Sequence, residues 1–354
     1  NRVDQPIVAQ YKPYRIDVEE GETYLWCSCG LSKSQPFCDK SHVGTDFKPL
    51  NFQATESRTL LFCGCKHTRG QPLCDGSHND LTEEYAGDDR PLEELLSLTE
   101  EVAFDPSGRA MLDGDCYVQK PAGLNWVPEG GLQVAPLITG DDNAKHLGQY
   151  YARMSGGNSE PRRYPGSDVV LFGMSGRGEV RISGRPFGIE AQSGVHIRAD
   201  ESFEVSCDSG EELSFLVTVC PGHSEAEILT APLENFAKDY PERAFSCDDS
   251  KRNSMADRFY QVLIGEDTGS AEVSQFIGEV PKSKAAPHRH LYEEAIIILS
   301  ACGMMWTETR RAPVETGDII FLPAEQEHSL ECTEDSGMVL AGHYYPSGEP
   351  NINY

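Results

Sequence analysis

Pro287-His288-Arg289-His290-Leu291-Tyr292-Glu293-Glu294-Ala295-Ile296, followed by Gly317-Asp318-Ile319-Ile320-Phe321-Leu322-Pro323, decides how most of this chain is read. Both are short apolar runs closed off by Gly, Pro or polar residues, the pattern of strands. His288 and His290 are two residues apart, so on a strand they face the same side. Glu294 follows four residues after His290, and His328 comes after the second run. Working outward, similar runs continue: Y-Y-A-R-M, S-D-V-V-L-F-G-M-S, G-E-V-R-I-S and L-S-F-L-V-T-V-C, then R-F-Y-Q-V-L-I and C-G-M-M-W-T-E-T. Strands at this spacing predict an antiparallel sandwich or barrel. The series also repeats itself. Pro161 to Val170 aligns with Pro287 to Ile296 at a constant offset of 126, so two barrels of one kind are expected, over 145–225 and 255–345. A-P-L-E-N-F-A-K-D-Y-P-E-R, with Pro232 near its start, is expected to be a helix between them.

These residues resemble the cupin superfamily. The first motif is His288-x-His290-x3-Glu294 and the second is Gly317-x5-Pro323-x-Glu325-x2-His328, with Glu325 where the family has Gly. The resemblance implies a divalent metal held by His288, His290, Glu294 and His328 inside a jelly-roll barrel. His343, on a later strand, is expected to pack rather than ligate. In the first barrel the aligned places hold Arg162, Tyr164 and Asp168, so that barrel is expected to be metal-free. Its role is structural, or else Arg162 and Arg163 hold an anionic ligand.

The front of the chain carries a second pattern. Cys27, Cys29, Cys38 and His42 are spaced C-x-C-x8-C-x3-H, and Cys63, Cys65, Cys74 and His78 repeat that spacing 36 residues later. Tyr24-Leu25-Trp26 and Leu60-Leu61-Phe62 precede the two copies equivalently and read as strands. Thiolates select zinc or iron–sulfur centres. A unit this small gains stability from its metal. Both copies look like the CDGSH-type iron–sulfur family, also called mitoNEET-like. The second matches fully as Cys74-Asp75-Gly76-Ser77-His78, and the first departs at Lys40, where the family has Gly. The resemblance implies one [2Fe–2S] cluster per copy, held by three Cys and one His. The single His makes cluster stability and potential depend on pH. Two Cys3His zinc sites are the alternative. His67 falls outside the pattern and is expected at the surface.

The 354 residues carry a formal net charge of −27, which argues against nucleic acid as a partner. Six of the twelve cysteines lie in the two motifs and the rest are scattered, which favours a reducing compartment. The first residues lack the apolar core of a signal peptide and no run of 18 apolar residues appears. The expectation is a cytoplasmic protein without a membrane span. The domains expected are 1–85 for the tandem metal unit and 86–144 for a linker or arm packing on the barrel. A metal-free barrel at 145–230 and a metal-binding barrel at 231–354 follow. The arm is expected to hold a short acidic helix and otherwise irregular chain, with Cys116 and Trp126 buried.

The fold class is therefore mainly β: a small iron–sulfur β/turn domain, then two cupin (jelly-roll) barrels. The function expected is an iron-dependent cupin oxygenase or related oxidoreductase, dioxygenases included, acting on a small molecule, with electrons from the two clusters. Glu294, displaced when substrate or O2 enters, and Tyr292 beside it are the catalytic candidates. Trp306, Arg310 and Arg311 are candidates to line the pocket. A redox partner protein and a homodimer are the further partners considered. The alternatives are a redox or pH sensor with a metal-binding, non-redox cupin module, and an iron–sulfur transfer protein.

Overall fold

The structure is a computed structural model that describes residues 5–81, 90–255, 258–348 and 350. The chain forms two compact units, a small one of the front residues, which also takes in His288–His290, and a large one with most of the rest.

The small unit is built from two two-stranded antiparallel sheets. Tyr14–Val18 pairs antiparallel with Arg58–Phe62, and Thr23–Trp26 pairs with Leu50–Gln53. Leu50–Gln53 was not anticipated, because its single alternation Leu50/Phe52 is too short to announce a strand. Each Cys-x-Cys follows directly on a strand end, at Trp26 and at Phe62. Both of those rings are fully buried and pack with Val18, Ala54 and Leu60.

In the large unit the strands gather into two halves, each round its own apolar core. The first sheet runs in the order Ala244–Ser246, Ser193–Ile197, Asp168–Ser175, Phe203–Cys220, Gly148–Asn158, Leu132–Ile138, Val127–Glu129. The second runs Asn253–Met255, Arg258–Ile264, Ser274–Val280, Met338–Tyr345, Glu293–Ser300, Ile319–Leu322, Tyr117–Gln119, Arg109–Met111. A four-stranded sheet, from Ser329–Cys332 through Cys302–Trp306 and Arg310–Glu315 to Glu100–Glu101, completes that half. Alternate residues of each strand feed different cores. Val169 and Leu171 enter the first half's core, whereas Val170 and Phe172 join Ala295, Ile297, Phe321 and Ala341 in a core shared by both halves. Ile296, Ile298 and Tyr344 enter the second half's own core.

Three expectations are corrected here. The segment 86–144 contains the short helix Leu92–Leu98, but the rest is not irregular. Its strands complete both halves: Tyr117–Gln119 pairs with Ile319–Phe321, and Leu132–Ile138 pairs with Gly148–Asn158. Cys116 is fully buried there, and Trp126 is half-buried against Tyr151, 5.4 Å between ring centroids. The helix expected after Pro232 is absent. Its backbone donors are taken by side chains instead, Leu233 N by Ser202 Oγ and Ala237 N by Glu201 Oε1. Arg243 forms a buried two-point ion pair with the same Glu201. Among the described residues no helix is long and apolar enough to cross a membrane.

Candidate metal centres

In both front copies the fold brings the four residues together in the same two pairs. Cys27 Sγ and Cys29 Sγ lie 3.6 Å apart, and Cys63 Sγ and Cys65 Sγ 3.4 Å. Cys38 Sγ lies 3.2 Å from His42 Nδ1, and Cys74 Sγ 3.4 Å from His78 Nδ1. The supporting bonds repeat as well. Cys27 N donates to Pro36 O and Cys63 N to Pro72 O. Asp39 accepts from the Lys33 and Ser41 amides, and Asp75 from those of Arg69 and Ser77. Ser32 and Thr68 hydroxyls donate to the carbonyls of Phe37 and Leu73. Each turn is thus held by the Asp of its motif rather than by the metal alone. Lys40 adopts φ 75° and its counterpart Gly76 φ 81°. The departure from Gly therefore preserves the left-handed turn, at a cost of about 1 kcal/mol.

The donor set fits a metal cluster. Two tetrahedral thiolate ligands of one metal sit roughly 3.8 Å apart for bonds of about 2.3 Å, close to the separations found. Two buried thiols this close cannot both ionise without a cation between them. The Cys65 thiol, against the pull of burial, holds Cys63 down at about 6, and burial pushes Cys74 up to about 12. Backbone amides of Leu31, Lys66 and His67 point at the sulfurs of Cys29, Cys63 and Cys65, a feature that raises cluster potentials. The two sites are not equally exposed: Cys74 and His78 are buried, whereas Cys38 and His42 are half-buried. His67 is not a surface residue. It is half-buried, its Nδ1 2.7 Å from Cys65 O.

In the second half, ligand atoms of His290, Glu294 and His328 all lie within 4.8 Å of one another, and all three residues are buried. His288 stands outside that group, its ring 6.4 Å from that of His290. His328 Nδ1 is 2.9 Å from Gln326 O; donation to that carbonyl fixes the tautomer and leaves Nε2 as the ligand nitrogen. Glu325 before it has φ 66°, so the Glu in place of the family's Gly keeps the turn. Glu294 projects inward with Ile296 and Ile298, and a Cβ on Gly342 would meet the Phe276 ring at 2.1 Å and Glu294 Oε1 at 3.0 Å. His343 lies one residue on and faces the other way, its ring 5.8 Å from Phe172 in the shared core. Tyr292 is partly buried against the inner core, 4.6 Å from the Tyr344 ring. Burial, then the Glu294 carboxylate, push its hydroxyl well above the usual range, so it stays protonated. Trp306 is buried, with Nε1 donating to Glu331. Arg311 reaches Thr99 and Arg310 reaches the Met111 carbonyl; both brace the arm. A cleft lined by Leu95, Lys284, Trp306, Thr307, Glu327 and His328 opens beside this group.

The matching position in the first half differs from the expectation. Asp168–Ser175 and Glu293–Ser300 are equivalent strands: each has eight residues, and each meets its partner strand with a register shift after its sixth. The offset is therefore 125, and Asp168 corresponds to Glu293, not Glu294. Glu294's counterpart is Val169, buried in the first core. Asp168 bonds His196 Nε2 and the Ala199 amide, while Glu293 accepts from the amides of Lys145, His146 and Leu147. Arg162 pairs with Glu129 and the Glu129 and Gly130 carbonyls, and Arg163 with Glu227. Both guanidinium groups are committed to the fold. Sequence reasoning missed the role of Glu293; its only signal was a second acid on the strand face opposite Glu294.

Residues 4–43 match the family described as iron-binding zinc finger CDGSH type. The front of the chain is a CDGSH-type iron–sulfur domain. Within it, 38 residues are 58% identical to CDGSH iron-sulfur domain-containing protein 3, mitochondrial, of Mus musculus, and 36 residues are 53% identical to the Homo sapiens protein of that name. The aligned part is 11% and 10% of this chain, and it spans only 28% of the length of each of these curated relatives. Behind the CDGSH-type domain, residues 277–341 match the cupin domain family. A deletion mutant of Bacillus subtilis oxalate decarboxylase OxdC has a TM-score of 0.53 at 13% identity, covering 65% of this chain and 77% of that one. Protein Ylba from E. coli has 0.52 at 15%, covering 72% and 97%. At such identities the likeness speaks for the fold, a mainly β, cupin-like jelly roll.

Proposed function

We propose that this chain is a metal-dependent cupin enzyme for a small molecule, an iron-dependent oxygenase or related oxidoreductase supplied with electrons by two [2Fe–2S] centres. The observation that carries the reading is the buried convergence of His290, Glu294 and His328. Two imidazoles and one carboxylate are the donor set of non-haem iron sites with open positions. A divalent iron bound there would supply Lewis acidity and one-electron chemistry. Glu294 is the ligand placed to yield to an incoming substrate. Tyr292, kept protonated, donates a hydrogen bond or proton beside it. The cleft by His328 is the route of entry. His288, two residues before His290, is the fourth ligand of the reading. At the front, Cys27, Cys29, Cys38 and His42 hold one cluster and Cys63, Cys65, Cys74 and His78 the other; the hydrogen bonds repeated around both sets support the pair.

A second reading has an observation of its own. Another structure with the same fold concerns the Mn(II) centres of Bacillus subtilis oxalate decarboxylase. Manganese at the three-residue group would favour lyase, isomerase or binding chemistry, with the clusters as a redox or pH sensor. Total metal and acid-labile sulfide per chain, after anaerobic purification of wild type and His290→Ala, separate the two. Two clusters account for four irons, and a fifth iron that disappears in the variant is the expected result. Four irons with manganese in the barrel would overturn the oxygenase reading.

A further inference from the structure

The two cluster sites differ in the residue that follows the second Cys. Lys66 follows Cys65, and its counterpart after Cys29 is Gly30. No side chain fits at Gly30: its φ is +80° and a Cβ would stand 1.7 Å from the Ile7 carbonyl oxygen. Lys66, with φ 68°, has its side chain folded back into the interior and only 2% exposed. Its Nζ donates to Cys63 O at 3.0 Å. The same oxygen accepts from Trp26 Nε1 at 3.1 Å, and Trp26 is the residue before Cys27. The ammonium also lies over the Trp26 ring, 4.9 Å from its centroid, and 5.7 Å from that of Tyr14.

A lysine so buried needs more than one carbonyl and two ring faces. One cation is therefore tied to the backbone of the second copy, at the carbonyl of its first Cys, and packed on the residue leading into the first. Reduction adds a negative charge to a cluster, and a fixed cation in a dry site stabilises it.

We infer that Lys66 is a positioning residue shared by both sites, whose buried ammonium raises the reduction potentials of the two clusters together. This rests on the reading of two [2Fe–2S] centres. The test uses the full chain as Lys66→Met, Lys66→Gln and Lys66→Arg. Iron and acid-labile sulfide are read first and potentials follow by spectroelectrochemical titration. Met and Gln should each weaken reduction of both clusters at least tenfold, 59 mV for one electron, and Arg should leave both within about threefold of wild type. Full sulfide with unmoved potentials in either neutral variant, or a shift confined to one cluster, would overturn the inference. Should Met lose its clusters, Gln, which keeps a donor for Cys63 O, carries the measurement. A wild type without sulfide would overturn the cluster reading and this inference with it, and that shows before any potential is measured.

Discussion

Two stretches of this chain are doubled, and the doublings have opposite outcomes. The front motif keeps every ligand in both copies while its surroundings diverge, with Gly30 against Lys66 and half-buried His42 against buried His78. The β-halves keep the frame, down to the register shift within Asp168–Ser175 and Glu293–Ser300, yet among the described residues only the second has the ligand group. On the equivalent strands the difference is Val169 against Glu294. A scaffold repeat and a chemical repeat are thus separate things, and each can be broken alone.

The largest effect should come from His290→Ala or His328→Ala. Metal in the second half should fall at least tenfold, by elemental analysis, while sulfide and the unfolding temperature hold. Val169→Ala, at the counterpart of Glu294, should leave every metal in place and cost about 2 kcal/mol in urea unfolding. If Val169→Ala removed metal, the halves would not be independent as described. Next, Glu293→Ala leaves the amides of Lys145, His146 and Leu147 without their acceptor; a loss of about 3 kcal/mol, with metal retained, is expected. Loss of metal at unchanged stability would instead make Glu293 part of the site.

A third prediction concerns pH. Burial holds His343 neutral, its pKa pushed down to about 3, while in the unfolded chain it protonates near 6.5. Between those values the unfolded state binds the extra proton. Stability is therefore full above about 6.5 and falls as pH drops, by up to about 1.4 kcal/mol per unit. His343→Leu should flatten that acid branch and leave metal untouched; an unchanged slope would refute the assignment. The smallest effect is Lys40→Gly, which relieves the left-handed lysine and should add about 1 kcal/mol to the small unit. Calorimetry of the holoprotein would show it.

Much of this was legible in the residues. Alternation placed the strands, and the Cys and His spacings placed both front sites, since turns that short leave their ligands little freedom. The register of the β repeat was not legible. Matching Pro161 to Pro287 gave an offset of 126, but the loops ahead of the strands absorb one residue, and a shift of one exchanges the faces. That slip set Asp168 opposite Glu294 and hid Glu293, whose partners lie some 146 residues earlier. His288 shares a face with His290 only on a continuous strand, and the strand begins at Glu293. The helix after Pro232 was lost to partners outside its own segment, Ser202 and Glu201.

The pairing of Tyr117–Gln119 with Ile319–Phe321 also has a consequence in time. The early strand leaves the ribosome about 200 residues before the strand that will hold it. At roughly 5–20 residues per second, it waits about 10–40 seconds with an open edge. In that interval the first β-half can close on Leu132–Ile138, and the CDGSH-type unit can take up its metals, before the last cupin strands exist. A chain ending before Ile319 should therefore have a finished front and middle, and an unclosed edge at Tyr117–Gln119 that seeks other strands.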